Sequence, residues 1–168
     1  MRHLLFAAVC ALAVIPAAGV SMAETQGGAP VAFSGLKGEA GKPVEITADV
    51  LEVSQKDNQA IFKGNVQAVQ GDLRLSSDLL TVEYVEGDRT KIDRLIADGN
   101  VLLSTPVEAA KAEHGIYFLA TRELELTGNV VLTQNGDVMT GQKLTVDIDA
   151  GTGRMDGRVK TILQPAGN

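Results

Sequence analysis

Phe62-Lys63-Gly64-Asn65-Val66 decides how this chain folds, because its Gly-Asn-Val core returns as Gly99-Asn100-Val101 and Gly128-Asn129-Val130. Gly157-Arg158-Val159 is a worn fourth copy. An alternating apolar segment stands upstream of each: Leu51-Glu52-Val53, Leu80-Thr81-Val82, Ile116-Tyr117-Phe118 and Leu144-Thr145-Val146. The first residue of each segment precedes the following glycine by 13, 19, 12 and 13 positions. A motif pair recurring every 28 to 36 residues is an internal repeat, so the protein is one β unit stacked four times.

Working outward, the period between copies is two. Val44, Ile46 and Ala48 alternate with Glu45, Thr47 and Asp49, and Phe62, Gly64, Val66 and Ala68 with Lys63, Asn65 and Gln67. Leu80, Val82 and Tyr84, then Leu124, Leu126, Val130 and Leu132, then Leu144, Val146 and Ile148 continue the pattern. Such alternation marks half-buried strands with one apolar and one wet face. Lys56-Asp57-Asn58, Gln70-Gly71-Asp72, Glu86-Gly87-Asp88, Asn135-Gly136-Asp137 and Ala150-Gly151-Thr152-Gly153 supply hairpin turns. The expectation is an all-β, all-antiparallel sheet that curls or stacks. The alternation runs straight through each Gly-Asn-Val, which places the motif inside a strand, its glycine at a sharp bend and its asparagine in water.

Residues 1–23 read as a cleaved secretory signal peptide: Arg2 and His3, an apolar run from Leu4 to Ile15, then Ser21-Met22-Ala23. The run is too short to span a bilayer and Pro16 interrupts it. Residues 24–42 are rich in Gly, Ala and Ser and are expected to be a loose lead-in. The folded domain is expected over 43–165, with 166–168 a short tail. The exported chain, 145 residues, has no cysteine, because Cys10 lies in the leader. It carries 14 basic against 21 acidic side chains, a formal −7, which argues against nucleic acid as a partner.

Chemistry is nearly absent from this sequence. The exported chain has one histidine, His114, no cysteine and no Gly-x-Ser-x-Gly, so no nucleophile stands beside a base. Glu123 and Glu125 share the wet face of one strand and read as a solvated face before they read as a glycosidase pair. No Cys/His cluster or calcium loop is present to hold a metal. The reading is not an enzyme, with no metal and no cofactor. Aromatic residues are only 4% of the chain, so about two dozen aliphatic side chains fill the interior. Pattern alone leaves open whether that interior is a dry sandwich core or a groove for an aliphatic ligand.

The order Pro43-Val44-Glu45-Ile46-Thr47-Ala48-Asp49, Phe62-Lys63-Gly64-Asn65-Val66, Ala97-Asp98-Gly99-Asn100-Val101, Leu126-Thr127-Gly128-Asn129-Val130 resembles the OstA-like family of lipopolysaccharide transport proteins, from about Pro43 to Pro165. The cleaved leader fits its soluble periplasmic member better than the inner-membrane subunit, which keeps a helix, or the outer-membrane one, which adds a barrel. The resemblance implies a β-jellyroll of stacked antiparallel strands, open at both ends, bridging the inner and outer membranes in the periplasm. It implies lipopolysaccharide as ligand, with acyl chains in an apolar groove. Implied protein partners are the chain itself head-to-tail, an inner-membrane LptC-type subunit and an outer-membrane LptD-type subunit. Groove contacts carried over are Val44, Ile46, Phe62, Leu80, Val82, Tyr84, Val101, Ile116 and Phe118. Arg89, Lys91 and Arg94 are candidate rim cations. Val44 and Ile46 at one end, and Val159, Thr161 and Leu163 at the other, are candidate edge strands for partners. The rival reading is a structural adaptor with a dry core that works only through those edges, or the soluble domain of a related transport subunit.

Overall fold

In a computed structural model, residues 29–32 and 42–164 are described, and within them eleven strands form one antiparallel sheet. They are β1 (Ala29–Ala32), β2 (Glu45–Thr47), β3 (Val50–Ser54), β4 (Gln59–Gln70), β5 (Leu73–Val85) and β6 (Asp88–Ser104). β7 (Glu108–Phe118), β8 (Glu123–Gln134), β9 (Asp137–Asp147), β10 (Thr152–Asp156) and β11 (Lys160–Ile162) complete it. The order across the sheet is β1-β10-β9-β8-β7-β6-β5-β4-β2, with β3 also on β4 and β11 also on β9. The sheet does not close, and the described residues contain no helix. The signal-peptide reading lies outside the described residues. Of the expected lead-in, Ala29–Ala32 forms a strand on β10.

Each long strand bends in the middle, and the Gly-Asn pairs are the reason. Gly128 (φ +83°) and Asn129 (φ +45°) both adopt left-handed backbone in the middle of β8. The register to β9 jumps there, from Thr127↔Lys143 to Val130↔Gly141, so two residues face Gln142 alone. This is a β-bulge, which bends the strand and turns its two halves into two arms. The same jump occurs at Lys63/Val66 between β4 and β5, and at Asp98/Val101 between β6 and β7. Gly157 and Arg158 keep the conformation, with φ of +84° and +47°. Arginine is a costlier occupant of that region than asparagine.

The residues facing each bulge form a second repeat that hydropathy alone does not mark: Ala48-Asp49-Val50-Leu51, Ser77-Asp78-Leu79-Leu80, Ala112-Glu113-His114-Gly115 and Gly141-Gln142-Lys143-Leu144. The first and last residue of each set fall on the inner phase, so the inward phase slips by one residue at the corner. The second residue turns outward and three of the four receive the asparagine. Asn65 donates to Asp49 at 2.8 Å, Asn100 to Asp78 at 2.8 Å and Asn129 to Glu113 at 2.6 Å. A Cβ on Gly128 would lie 2.7 Å from the Glu113 side chain, so glycine is required there by space as well as by φ.

Inner residues from both arms meet in a single core: Val66, Leu103 and Ala110 from one side of the corners, Leu80, Leu126 and Leu144 from the other. Strands in contact are only those paired in the sheet, so the arms touch through side chains, as two packed sheet faces do at a spacing of about 10 Å.

Candidate functional site: an apolar cavity between the arms

The arms do not meet everywhere. Between them lies a cavity of about 400 Å³, within the ~300–1,000 Å³ of small-molecule sites. Leu73, Leu75 and Leu103 line it from one arm, and Leu80, Val82 and Leu95 from the other. β2 contributes Ile46, and Val44 just before it also reaches the lining. No residue of β1, β9, β10 or β11 takes part.

Of the residues expected to face a groove, Val44, Ile46, Phe62, Leu80, Val82, Tyr84 and Val101 all line this cavity. Ile116 and Phe118 do not; Gly115, Tyr117 and Leu119 stand there instead. The correction follows from the phase slip at Glu113-His114, which turns 115, 117 and 119 inward and leaves 116 and 118 on the outer face. The sequence held the signal. Two of the four spacings are 13 residues, and the third joins them when its segment starts at Gly115, since the count from Ile116 is 12. A glycine in the slot of Leu51, Leu80 and Leu144 is invisible to hydropathy.

The expected rim cations all have partners on the chain itself. Arg89 donates to Asn58 Oδ1 at 3.1 Å and to the Gln55 carbonyl at 2.6 Å, bracing a turn. Lys91 pairs with Asp88 at 3.1 Å, and Arg94 with Glu83 at 2.6 Å across the outer face. None lines the cavity. Arg122 does. It sits in the β7–β8 turn with φ +54°, its carbonyl accepts from the Ile148 N–H at 3.1 Å, and its guanidinium is ion-paired with Asp149. Burial pushes the neighbouring Tyr117 hydroxyl above the usual tyrosine range, with Arg122 opposing and Asp149 adding to the shift. Tyr84, Tyr117, Gln70 and Arg122 are the polar side chains of the lining. They are a fringe on an aliphatic slot with no serine, threonine, histidine or carboxylate. Such a surface can shelter hydrocarbon; it holds no nucleophile and base. His114 bonds Asp98, and Glu125 pairs with Lys143 at 2.6 Å, both away from the lining.

Both expected edges exist, and they differ. At the first end β2 and β3 carry no strand on their outer sides among the described residues, and Val44, Val50, Leu51 and Val53 are exposed. At the other end β11, with Thr161 inside it and Val159 and Leu163 flanking it, pairs only with β9. β10 is covered by β1.

Comparison with known proteins places this architecture. The family described as LptA/(LptD N-terminal domain) LPS transport protein matches residues 45–152. An uncharacterised protein of Rhizobium meliloti (strain 1021) is 34% identical over 143 residues, 79% of this chain and 77% of that one. Lipopolysaccharide export system protein LptA of Escherichia coli (strain K12) is 29% identical over 119 residues, 66% of this chain and 62% of that one. The crystal structure of LptH, the LptA-homologous periplasmic component of the lipopolysaccharide transport device of Pseudomonas aeruginosa, superposes with a TM-score of 0.66 at 18% identity. That match covers 74% of this chain and 96% of LptH, and it shows the shared β-jellyroll fold. With the family matched across most of the sheet, bulges included, the chain belongs to the LptA/LptD N-terminal-domain family of lipopolysaccharide transport proteins.

Proposed function

We propose that this chain is a periplasmic carrier of lipopolysaccharide, exported by its leader, that shields the lipid's acyl chains between its two arms on the way to the outer membrane. The observation that carries the reading is the aliphatic cavity on the β2 side of the sheet, where the arms stand apart. Each methylene taken out of water contributes about 0.8 kcal/mol. A multi-chain lipid therefore crosses an aqueous space slowly unless a protein covers its tails. The fringe of Tyr117 and Arg122 suits the polar side of such a lipid, and the −7 charge keeps anionic head groups out of the slot and in water.

The exposed first edge and the open β11 edge support head-to-tail stacking of copies, with LptC-type and LptD-type subunits continuing the same sheet at either end. The adaptor reading draws on the tightly packed β9–β10 end, which this cavity does not reach. A photo-crosslinking amino acid decides between them. At Phe62 or Tyr117 it should capture lipopolysaccharide in cells, and at Ile116 it should not. Equal capture at all three, or at none, removes the carrier function.

A further inference from the structure

β1 is the first described strand in sequence and lies at the last edge of the sheet. Its register there repeats another part of the molecule. On β4, β3 sets Leu51 against Phe62, Glu52 against Ile61, Val53 against Ala60 and Ser54 against Gln59. On β10, β1 sets Ala29 against Met155, Pro30 against Arg154, Val31 against Gly153 and Ala32 against Thr152. Counted back from the bulge glycines Gly64 and Gly157, the two ladders are the same: Phe62 and Met155 stand two residues before, Ala60 and Gly153 four before. Both strands are antiparallel to their neighbours. β9 already holds on β10 the register that β3 holds on β4, so β1, on the other side of β10, stands where the next rung belongs, as β5 does on β4; in a head-to-tail stack that next rung is β3 of a second copy.

The burial of the two strands is complementary. Val53 is 66% exposed because no earlier rung packs on it, whereas Val31, in the corresponding slot, is 6% exposed and belongs to the core. Pro30 has no N–H to offer, so β1 is a poor template for a further strand and ends the sheet. β11, on the other arm, carries no strand on its outer side among the described residues. A second copy presenting β2 and β3 would find the β11 side open and the β10 side already filled.

We propose that β1 is a detachable self-cap, the placeholder for β3 of a second copy, and that the joint between copies completes when β3 displaces it from β10. The proposal rests on the head-to-tail reading above. A strand carried on the same chain competes at an effective concentration of roughly millimolar, so the cap keeps dilute copies separate and yields where copies are concentrated or aligned by a partner.

The test uses the exported chain, Glu24 to Asn168, which has no cysteine. In one variant Pro30→Cys and Arg154→Cys, at facing positions of an antiparallel pair, tie β1 to β10 when oxidised. Sedimentation should show self-association weakened about tenfold by oxidation and restored by reduction. In a second experiment, Glu52→Cys copies are mixed with Arg154→Cys copies; a disulfide should link them, and Val31→Asp in the second copy should raise its yield. If oxidised and reduced forms associate equally, or copies associate without a 52–154 link, β1 is a permanent strand and the self-cap is wrong. If no form associates at any concentration, with or without Val31→Asp, it is the head-to-tail reading that fails, and the cap with it.

Discussion

Leu51 and Leu144 hold the same place in the repeat, two residues past the outward residue of the corner, yet Leu51 is 55% exposed and Leu144 is fully buried. Leu144 has a rung on each side, β8 and β10, whereas β3 has β4 on one side only. The contrast extends across the sheet. Val130 and Leu132 of β8, Val146 of β9 and Met155 of β10 are sealed, while the cavity is lined from the β2 end as far as Leu124 and Leu126 of β8. One repeat therefore gives a closed core or an open slot, depending on its neighbours and not on its own residues. In the proposed function, the open end is where lipid or another copy has something to add.

The comparison is broken most directly by truncating both leucines. Leu144→Ala should cost about 2–5 kcal/mol, and Leu51→Ala no more than about 0.5, in urea titrations of the isolated chain. Equal losses would mean that the first rung is covered after all. The corners, in contrast, should be equally demanding in both halves. Gly128→Ala combines φ strain with a collision and should cost ~1–3 kcal/mol, more than Gly87→Ala, which has φ +77° and open space around it. Asn100→Ala loses the bond to Asp78 and should cost ~0.5–1.5 kcal/mol. Arg158→Asn, which restores the motif at the worn corner, should gain a few tenths, roughly the helpful end of surface changes.

A fifth measurement reads the open end through its proton. The Tyr117 hydroxyl is held neutral by burial, so its folded pKa lies above the ordinary 10.0. The folded state then binds that proton more tightly than the unfolded one. The associated stability is present below pH 10 and is lost as pH rises through the folded value. Alkaline thermal melts should show that loss in the native chain and not in Tyr117→Phe. Bound lipid should move the tyrosine titration higher still.

Much of this was readable beforehand. Gly-Asn-Val marked bulges because the alternation of Phe62 to Ala68 crosses it unbroken, and a motif that preserves phase must lie inside a strand. Seven of the nine positions that the resemblance implied for a groove line the cavity. The failures have physical causes. The facing strands slip phase at Asp78, Glu113 and Gln142, where no Gly-Asn pair marks it, so Ile116 and Phe118 were turned the wrong way. Arg122 was missed because its turn reads as polar loop, and only the fold brings that turn over the slot. Ala29–Ala32 looked like linker because four residues with a proline have no strand signal of their own. Their partner is more than a hundred residues away.

The strands run across the direction in which rungs and copies stack, and this sets how such a stack bears load. Tension along it would pull each ladder open like a zipper, one backbone pair after another, with no strand sliding past its neighbour. In a series of ladders the shortest one yields. β4 and β5 share ten residue pairs, whereas β2 and β3 together hold β4 by eight, β10 and β11 together hold β9 by eight, and β1 holds β10 by four. In the proposed stack, tension would open these short end ladders first and leave the long central ones closed, so the rungs that strain loosens are the ones next to a neighbouring copy.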